Sequence, residues 1–197
     1  MNPLIAFDWG GVVIEQPTDA IFAEIHAQTG WPLQDLALRF NEAGPDWQRG
    51  RLTEGEFWEP LAGHKNLDNL WYPAFGKVIR LQPEVVEWMH YLQTHGYDTC
   101  LFSNTEASAR PLLNDIPELR HFDLLLLSFE YDCVKPEPKI YETLIALADR
   151  PASEILFLDD RAENVAAAMN HGIGAIHVTN PADAVSNAKL WLQSLAL

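Results

Sequence analysis

The residues whose types and spacing could do chemistry are Asp8, the Ser103-Asn104 pair, Lys135 and the doublet Asp159-Asp160. Each stands at or just beyond the end of a short apolar run. Leu4-Ile5-Ala6-Phe7 leads into Asp8, residues 98–102 lead into Ser103, and Ile155-Leu156-Phe157-Leu158 leads into Asp159. Lys135 follows the unbroken apolar stretch 122–127 by one loop. Short apolar runs bounded by glycine or turn residues read as strands buried on both faces of a parallel sheet. In such sheets ligands bind beyond the carboxyl ends of the strands. Asp8 and Asp160 at neighbouring strand ends would repel by roughly 4 kcal/mol at an effective dielectric of about 20, so a cation is needed to hold them together. Hard oxygen donors, with the free Gly10 carbonyl among them, suit an octahedral Mg²⁺ that keeps several waters. Lys135 adds a second positive charge. Such a site is made for a phosphoryl group, whose oxygens the cations, the Ser103 hydroxyl and the first N–H groups of a helix opened by Ser103-Asn104 would hold. Asp8 is then the natural nucleophile.

The elements that must position these groups can be read from hydrophobic period. After the first strand, 15–80 is helical in pattern, with candidate helices at 19–28, 33–43 and 66–79. Another opens on the capping box Thr53-Glu54-Gly55-Glu56. This block holds Trp31, Trp47, Trp58 and Trp71, four of the seven tryptophans, and reads as an insertion. From residue 82 strand and helix alternate: helix 83–95, strand 98–102, helix 106–113, strand 122–127, helix 137–148, strand 155–158, helix 162–170, strand 175–178 and helix 181–195. Alternating units imply a parallel sheet with helices on both faces. The expected organisation is an α/β core of residues 1–14 and 81–197, interrupted by an α-helical segment of residues 15–80. The turns at 15–17 and 80–83 are the natural hinges between them.

Composition narrows the partners. Lysine and arginine number 13 against 28 aspartates and glutamates, a net charge of −15. That surface repels phosphate backbones, which argues against nucleic acid. No apolar segment approaches the length of a membrane span and no signal-peptide pattern precedes the first strand, so a cytoplasmic protein acting on small molecules is expected. Cys100 and Cys133 read as buried structural thiols. The seven histidines show no metal-binding pairing and read as surface or packing residues.

Four ordered motifs carry a resemblance across nearly the whole chain. They are Phe7-Asp8-Trp9-Gly10-Gly11-Val12, Phe102-Ser103-Asn104-Thr105, Lys135-Pro136-Glu137-Pro138-Lys139-Ile140-Tyr141, and Phe157-Leu158-Asp159-Asp160-Arg161-Ala162-Glu163-Asn164. Together they resemble the haloacid dehalogenase (HAD) superfamily, whose fold is a Rossmann-like parallel sheet with an inserted helical cap. The resemblance implies that Asp8 is the nucleophile and also a metal ligand, together with the Gly10 carbonyl and Asp160. It implies that Asp159 acts through water or from behind, and that Asn164 orients Asp160 or its water. Ser103 with the Asn104 backbone would clamp phosphate, and Lys135 would bridge nucleophile and phosphoryl group.

One position departs from the pattern. Most phosphatases of this superfamily carry a second aspartate two residues after the nucleophile as general acid/base; here that position is Gly10. The loss weakens proton transfer by about 10²–10⁴-fold and favours leaving groups that need little protonation. The resemblance is closest to a bacterial branch with glycine in this slot and sugar phosphates, glucose 1-phosphate included, among its substrates. Glu15 is the candidate substitute acid/base, the alternative being a solvated turn carboxylate. Trp47 and Arg49 are candidate substrate contacts, with Arg49 reaching hydroxyls or a second phosphate, although plain core is the commoner fate of such tryptophans. The expected activity is Mg²⁺-dependent hydrolysis of a small phosphorylated metabolite. A metal-free dehalogenase and a non-catalytic binding protein are the rival readings.

Overall fold

The computed structural model describes residues 2–64, 67 and 69–195. The run Leu4–Phe7 is β1, buried along its whole length. It leads through the tight turn at Gly11 into four helices, α1 (Thr18–Thr29), α2 (Leu33–Gln48), α3 (Glu54–Ala62) and α4 (Trp71–Val78). Then come α5 (Pro83–Thr94), β2 (Asp98–Ser103), α6 (Leu112–Asp115), β3 (Leu124–Leu127), α7 (Pro138–Ala148), β4 (Ile155–Asp159), α8 (Ala162–Asn170), β5 (Gly174–His177) and α9 (Pro181–Leu195).

The strands form one parallel sheet in the order β3-β2-β1-β4-β5. The central strand is therefore β1, and the chain winds outward from it in both directions. Side chains alternate across this sheet as the period of two demands. Ile5, Phe7, Leu101, Leu156 and Leu158 face a core built with α5, α9 and the inserted helices. Leu4, Ala6, Phe102, Ile155 and Phe157 face a second core built with α7 and α8. With both faces covered, the strands can be apolar throughout.

The insertion is joined to the sheet by two chain segments that cross antiparallel. Ile14 bridges Leu81, Glu15 N–H donates to the Arg80 carbonyl (2.8 Å), and Gln82 N–H donates to the Val13 carbonyl (2.9 Å). The expected capping box is present: the Thr53 hydroxyl accepts from Glu56 N–H, and the Glu56 carboxylate accepts from Thr53 N–H. Inside, Trp47, Phe57, Trp58 and Trp71 pack ring against ring, with Trp47 stacked on Phe57 at 4.1 Å between centroids.

Three local expectations change. The helix expected at 66–79 is the shorter α4, and Asn66 and Asp68 lie outside the described residues. The helix expected at 33–43 runs on through Pro45 to Gln48. The helix expected at 106–113 breaks into a 3₁₀ turn, Ala107–Ala109, and the single-turn α6. Glu106 is extended (φ −97°, ψ 152°), and Pro111 lacks the N–H that a continuous helix would need at that point. Consequently no helix opens at Ser103-Asn104, and no helical N-terminus stands there to hold an anion.

Candidate active site

Parallel register builds the site. Phe7 pairs with both Leu101 and Leu158, so one residue further Asp8 stands level with Asp159, and its N–H donates to the Leu158 carbonyl (2.9 Å). Lys135, 3% exposed, reaches back under these strand ends. Its ammonium donates to Asp159 Oδ2 (2.7 Å) and the Phe102 carbonyl (3.0 Å), pairs with Asp8 Oδ1 (3.0 Å), and lies over the rings of Phe102 and Phe157. The loop carrying it is fastened to the end of β2 by a reciprocal pair. Asn104 Nδ2 donates to the Lys135 carbonyl (2.9 Å), and Lys135 N–H donates to Asn104 Oδ1 (2.8 Å). Asp8 Oδ1 also accepts from Trp9 N–H (2.7 Å).

The doublet after β4 divides its labour. Asp159, fully buried, accepts from Lys135, from Arg161 N–H (2.8 Å) and from Asn164 Nδ2 (3.0 Å to each oxygen). Asp160 is half-buried and lines the cavity, accepting a long hydrogen bond from Gln16 Nε2 (3.4 Å). Asn164 therefore grips Asp159 and makes no hydrogen bond to the carboxylate of Asp160, the first of its two expected partners. Asn164, in the first turn of α8, thus reaches back to Asp159 at the end of β4, whereas Asp160 lines the cavity. The Asn164 Oδ1 atom is buried and unpaired.

Oxygens of Asp8, Asp159 and Asp160 lie within 4.8 Å of one another. Three carboxylates facing one ammonium leave two negative charges uncompensated, and all the donors are hard oxygens. The set fits a divalent cation of the Mg²⁺ type. Electrostatics agree. Burial, outweighing Lys135 and reinforced by Asp159, pushes the Asp8 carboxyl up to about 7. Burial and then Asp159 raise Asp160 as well. Burial alone would lower Lys135, but Asp8 and Asp159 more than compensate and hold it charged. A cation at this point would relieve the repulsion that raises both acids.

Above these groups lies a cavity of about 130 Å³. Its floor is Asp8, Gly10, Ser103, Asn104, Lys135 and Asp160, and its roof is Ile21, Phe40, Gln48, Trp71 and Phe75 of the insertion. Ser103, buried at the end of β2, lines it as well.

The model of one protein family, haloacid dehalogenase-like hydrolase, matches residues 3–172. The chain belongs to that family. Bifunctional epoxide hydrolase 2 of Mus musculus is 30% identical over 99 residues, covering 48% of this chain and 18% of that protein, so the chain spans under a fifth of that relative. A D-ribitol-5-phosphate phosphatase of Bacteroides thetaiotaomicron is 24% identical over 215 residues, 98% of this chain and 96% of its own. A HAD family enzyme of the same bacterium, crystallised with magnesium and inorganic phosphate, superposes with a TM-score of 0.73 at 21% identity, covering 89% of this chain and 93% of that one.

In this hydrolase three sequence expectations about the site are displaced. Glu15 is exposed and lies off the cavity wall, because the Ile14–Leu81 bridge turns it outward. Its neighbour Gln16 faces the cavity instead. A Cβ built on Gly10 would stand 3.2 Å from Pro17 Cδ and 3.4 Å from Gln16 Oε1. Gln16 and Pro17 thus occupy the space beside that backbone into which a longer side chain would extend. Trp47 is 1% exposed, sealed in the aromatic cluster. Arg49 is ion-paired with Glu137 and Asp46 outside the cavity. Between these two, Gln48 lines the cavity and donates from Nε2 to Glu106 Oε1 (3.0 Å). Sequence reasoning missed Gln16, Gln48 and Glu106. Nothing in the flanking Thr105, Ala107 and Ser108 marked Glu106 as a buried carboxyl.

Proposed function

We propose that this hydrolase is a Mg²⁺-dependent phosphomonoesterase of the cytoplasm, acting on a small phosphorylated metabolite of the sugar-phosphate kind. The observation that carries the reading is the grouping of Asp8, Asp159 and Asp160 within 4.8 Å above a buried Lys135. Asp8, Asp160 and the Gly10 carbonyl would hold the cation, with Asp159 fixed behind them by Lys135, Arg161 N–H and Asn164. Bound there, Mg²⁺ supplies charge neutralisation for phosphoryl oxygens and for the clustered carboxylates.

One carboxylate oxygen of Asp8 attacks phosphorus; the ester P–O bond breaks, and the leaving oxygen takes a proton from solvent. Lys135 and Ser103 hold the transferring oxygens. Water then attacks phosphorus, the Asp8–phosphorus bond breaks, and inorganic phosphate departs. No carboxylate extends from position 10, and Glu15 lies off the cavity, so proton transfer has little help from this chain. That favours anomeric and acyl phosphates, whose leaving groups are weakly basic. The printed activity of the ribitol-phosphate relative and the cavity's small volume support a compact substrate. The inserted helices act as the cap that closes over it.

Release of phosphate from acetyl phosphate and glucose 1-phosphate, measured with Mg²⁺ and again with EDTA, tests the reading. Turnover that EDTA abolishes is expected. Metal-independent chloride release from 2-chloropropionate, with no phosphate release, would replace it with the dehalogenase reading.

A further inference from the structure

Four consecutive residues at the end of α2 engage the loop that carries Lys135. The Gln48 carbonyl accepts from the Ser128 hydroxyl (2.6 Å). Arg49 pairs with Glu137, and Arg51 Nε donates to Asp132 Oδ1 (2.6 Å). Gly50, between the two arginines, takes φ +76°, and a Cβ there would stand 2.6 Å from the Phe129 carbonyl oxygen. Only glycine lets the two backbones meet so closely. Asp46, earlier on α2, accepts from both guanidinium groups (3.4 and 3.2 Å) and holds them side by side. A chain with 13 lysines and arginines against 28 acids thus places two of its few cations on two acids of one loop.

Such partly exposed ion pairs add little to stability. Their consequence lies in what Glu137 does with its other oxygen. Glu137 Oε2 accepts from Val134 N–H (3.2 Å), and Glu137 N–H donates to the Val134 carbonyl (2.8 Å). Backbone and side chain together therefore close the four-residue turn in which Lys135 stands second. Asn104 ties that turn to the sheet, and Arg49 ties its far end to the insertion. Arg49 lies outside the cavity, so its route to the chemistry runs through Glu137.

Resting on the phosphatase reading above, we propose that Arg49 is a positioning residue: docked on Glu137, it holds the turn that aims Lys135 at Asp8, so the site is complete only when the insertion is seated on the loop 128–137. Arg49 then acts on the rate of phosphoryl transfer and not on substrate affinity.

Steady-state hydrolysis of acetyl phosphate with Mg²⁺ tests this in the full chain. Arg49→Ala is expected to lower kcat at least about tenfold, because small misplacements of a reacting group are costly. KM should move by less than about threefold, and Arg49→Lys, which keeps the charge, should recover kcat to within about threefold of the parent. Glu137→Gln offers one oxygen to two donors and should reproduce the loss. The double variant should be no worse than the worse single one, since both act through one contact. Melting temperatures should stay within about 3 °C of the parent. Lys77→Ala, which breaks the exposed pair with Glu24 inside the insertion, is the control and should keep the parental kcat. Should Arg49→Ala fold poorly, Arg49→Gln keeps the stem and carries the same expectation. An unchanged kcat overturns the inference, as does a KM effect alone, which would make Arg49 a substrate contact. Losses that multiply in the double variant overturn it too, and so does a loss of kcat that follows a large fall in Tm. A parent that does not hydrolyse acetyl phosphate removes the phosphatase reading and this inference with it. A parent that does, beside an Arg49→Ala variant equally fast, removes only the inference.

Discussion

Single atoms decide how closely the acids of this site can gather. Gly11 adopts φ +79°, and a Cβ there would lie 2.3 Å from Asp160 Oδ2. Only glycine both takes that backbone conformation cheaply and leaves room for the carboxylate. Glu106 shows the cost of burial. Burial raises it from the ordinary 4.5 to about 7, against Gln48, and the nearby Glu54 adds to the rise. A carboxyl raised in the folded state stabilises fully below its unfolded value, and that contribution is lost as pH climbs through 4.5 to about 7. Glu106→Gln removes the titration, so its stability relative to the parent should grow between pH 5 and pH 8, by up to about 3 kcal/mol. Urea denaturation at the two pH values measures this, and an advantage independent of pH would refute it. Asp8, Ser103, Lys135 and Asp160 were legible in the sequence because each follows a strand-forming run, and strand ends of one parallel sheet share an edge. Gln16 and Gln48 were not, and each miss was a single position. The sequence marked Glu15 and Trp47, each one residue away. Pairing at Ile14 and the 100° step of a helix decide which neighbour faces inward, and those depend on tertiary contacts.

At the scale of elements, the sheet and the insertion are held in register by buried polar contacts. Ser128 donates to the Gln48 carbonyl at the end of α2 (2.6 Å) and accepts from Thr105 N–H (2.9 Å), tying the insertion to the loop after β2. Glu54, near the start of α3, accepts from Leu70 N–H (2.8 Å), Trp71 N–H (2.6 Å) and the Trp58 indole (3.3 Å). Its carboxylate thus caps α4, whose N-cap residue offers no side-chain acceptor, and so fixes Trp71 in the roof. Glu54→Ala strands three donors in a buried setting and should destabilise the protein by about 3 kcal/mol. Calorimetry is expected to show a lowered Tm; an unchanged Tm would mean that aromatic packing alone sets α4. The alternation of strands and helices was readable because both faces of the sheet leave a period in the sequence. The broken helix at 106–113 was not, since the extended geometry at Glu106 and the break at Pro111 interrupt an apolar pattern that still looks helical.

Across the whole molecule, a chain of net charge −15 concentrates acids where an anionic substrate would have to come. A buried ammonium and a divalent cation are what make that arrangement workable. Among the described residues no helix is long and apolar enough to cross a membrane. The family match covers residues 3–172, which hold β1 to β4 and all four motifs. In this chain Gln16 and Pro17 pack beside Gly10, and Gln48 donates to Glu106 on the cavity wall above. The central claim is that phosphorus becomes bonded to Asp8 during turnover. Enzyme quenched during Mg²⁺-supported turnover of acetyl phosphate and reduced with borohydride should yield homoserine at position 8 when its peptides are sequenced by mass spectrometry. Aspartate still intact at that position in every peptide, while phosphate is released at an undiminished rate by Asp8→Asn, would contradict it.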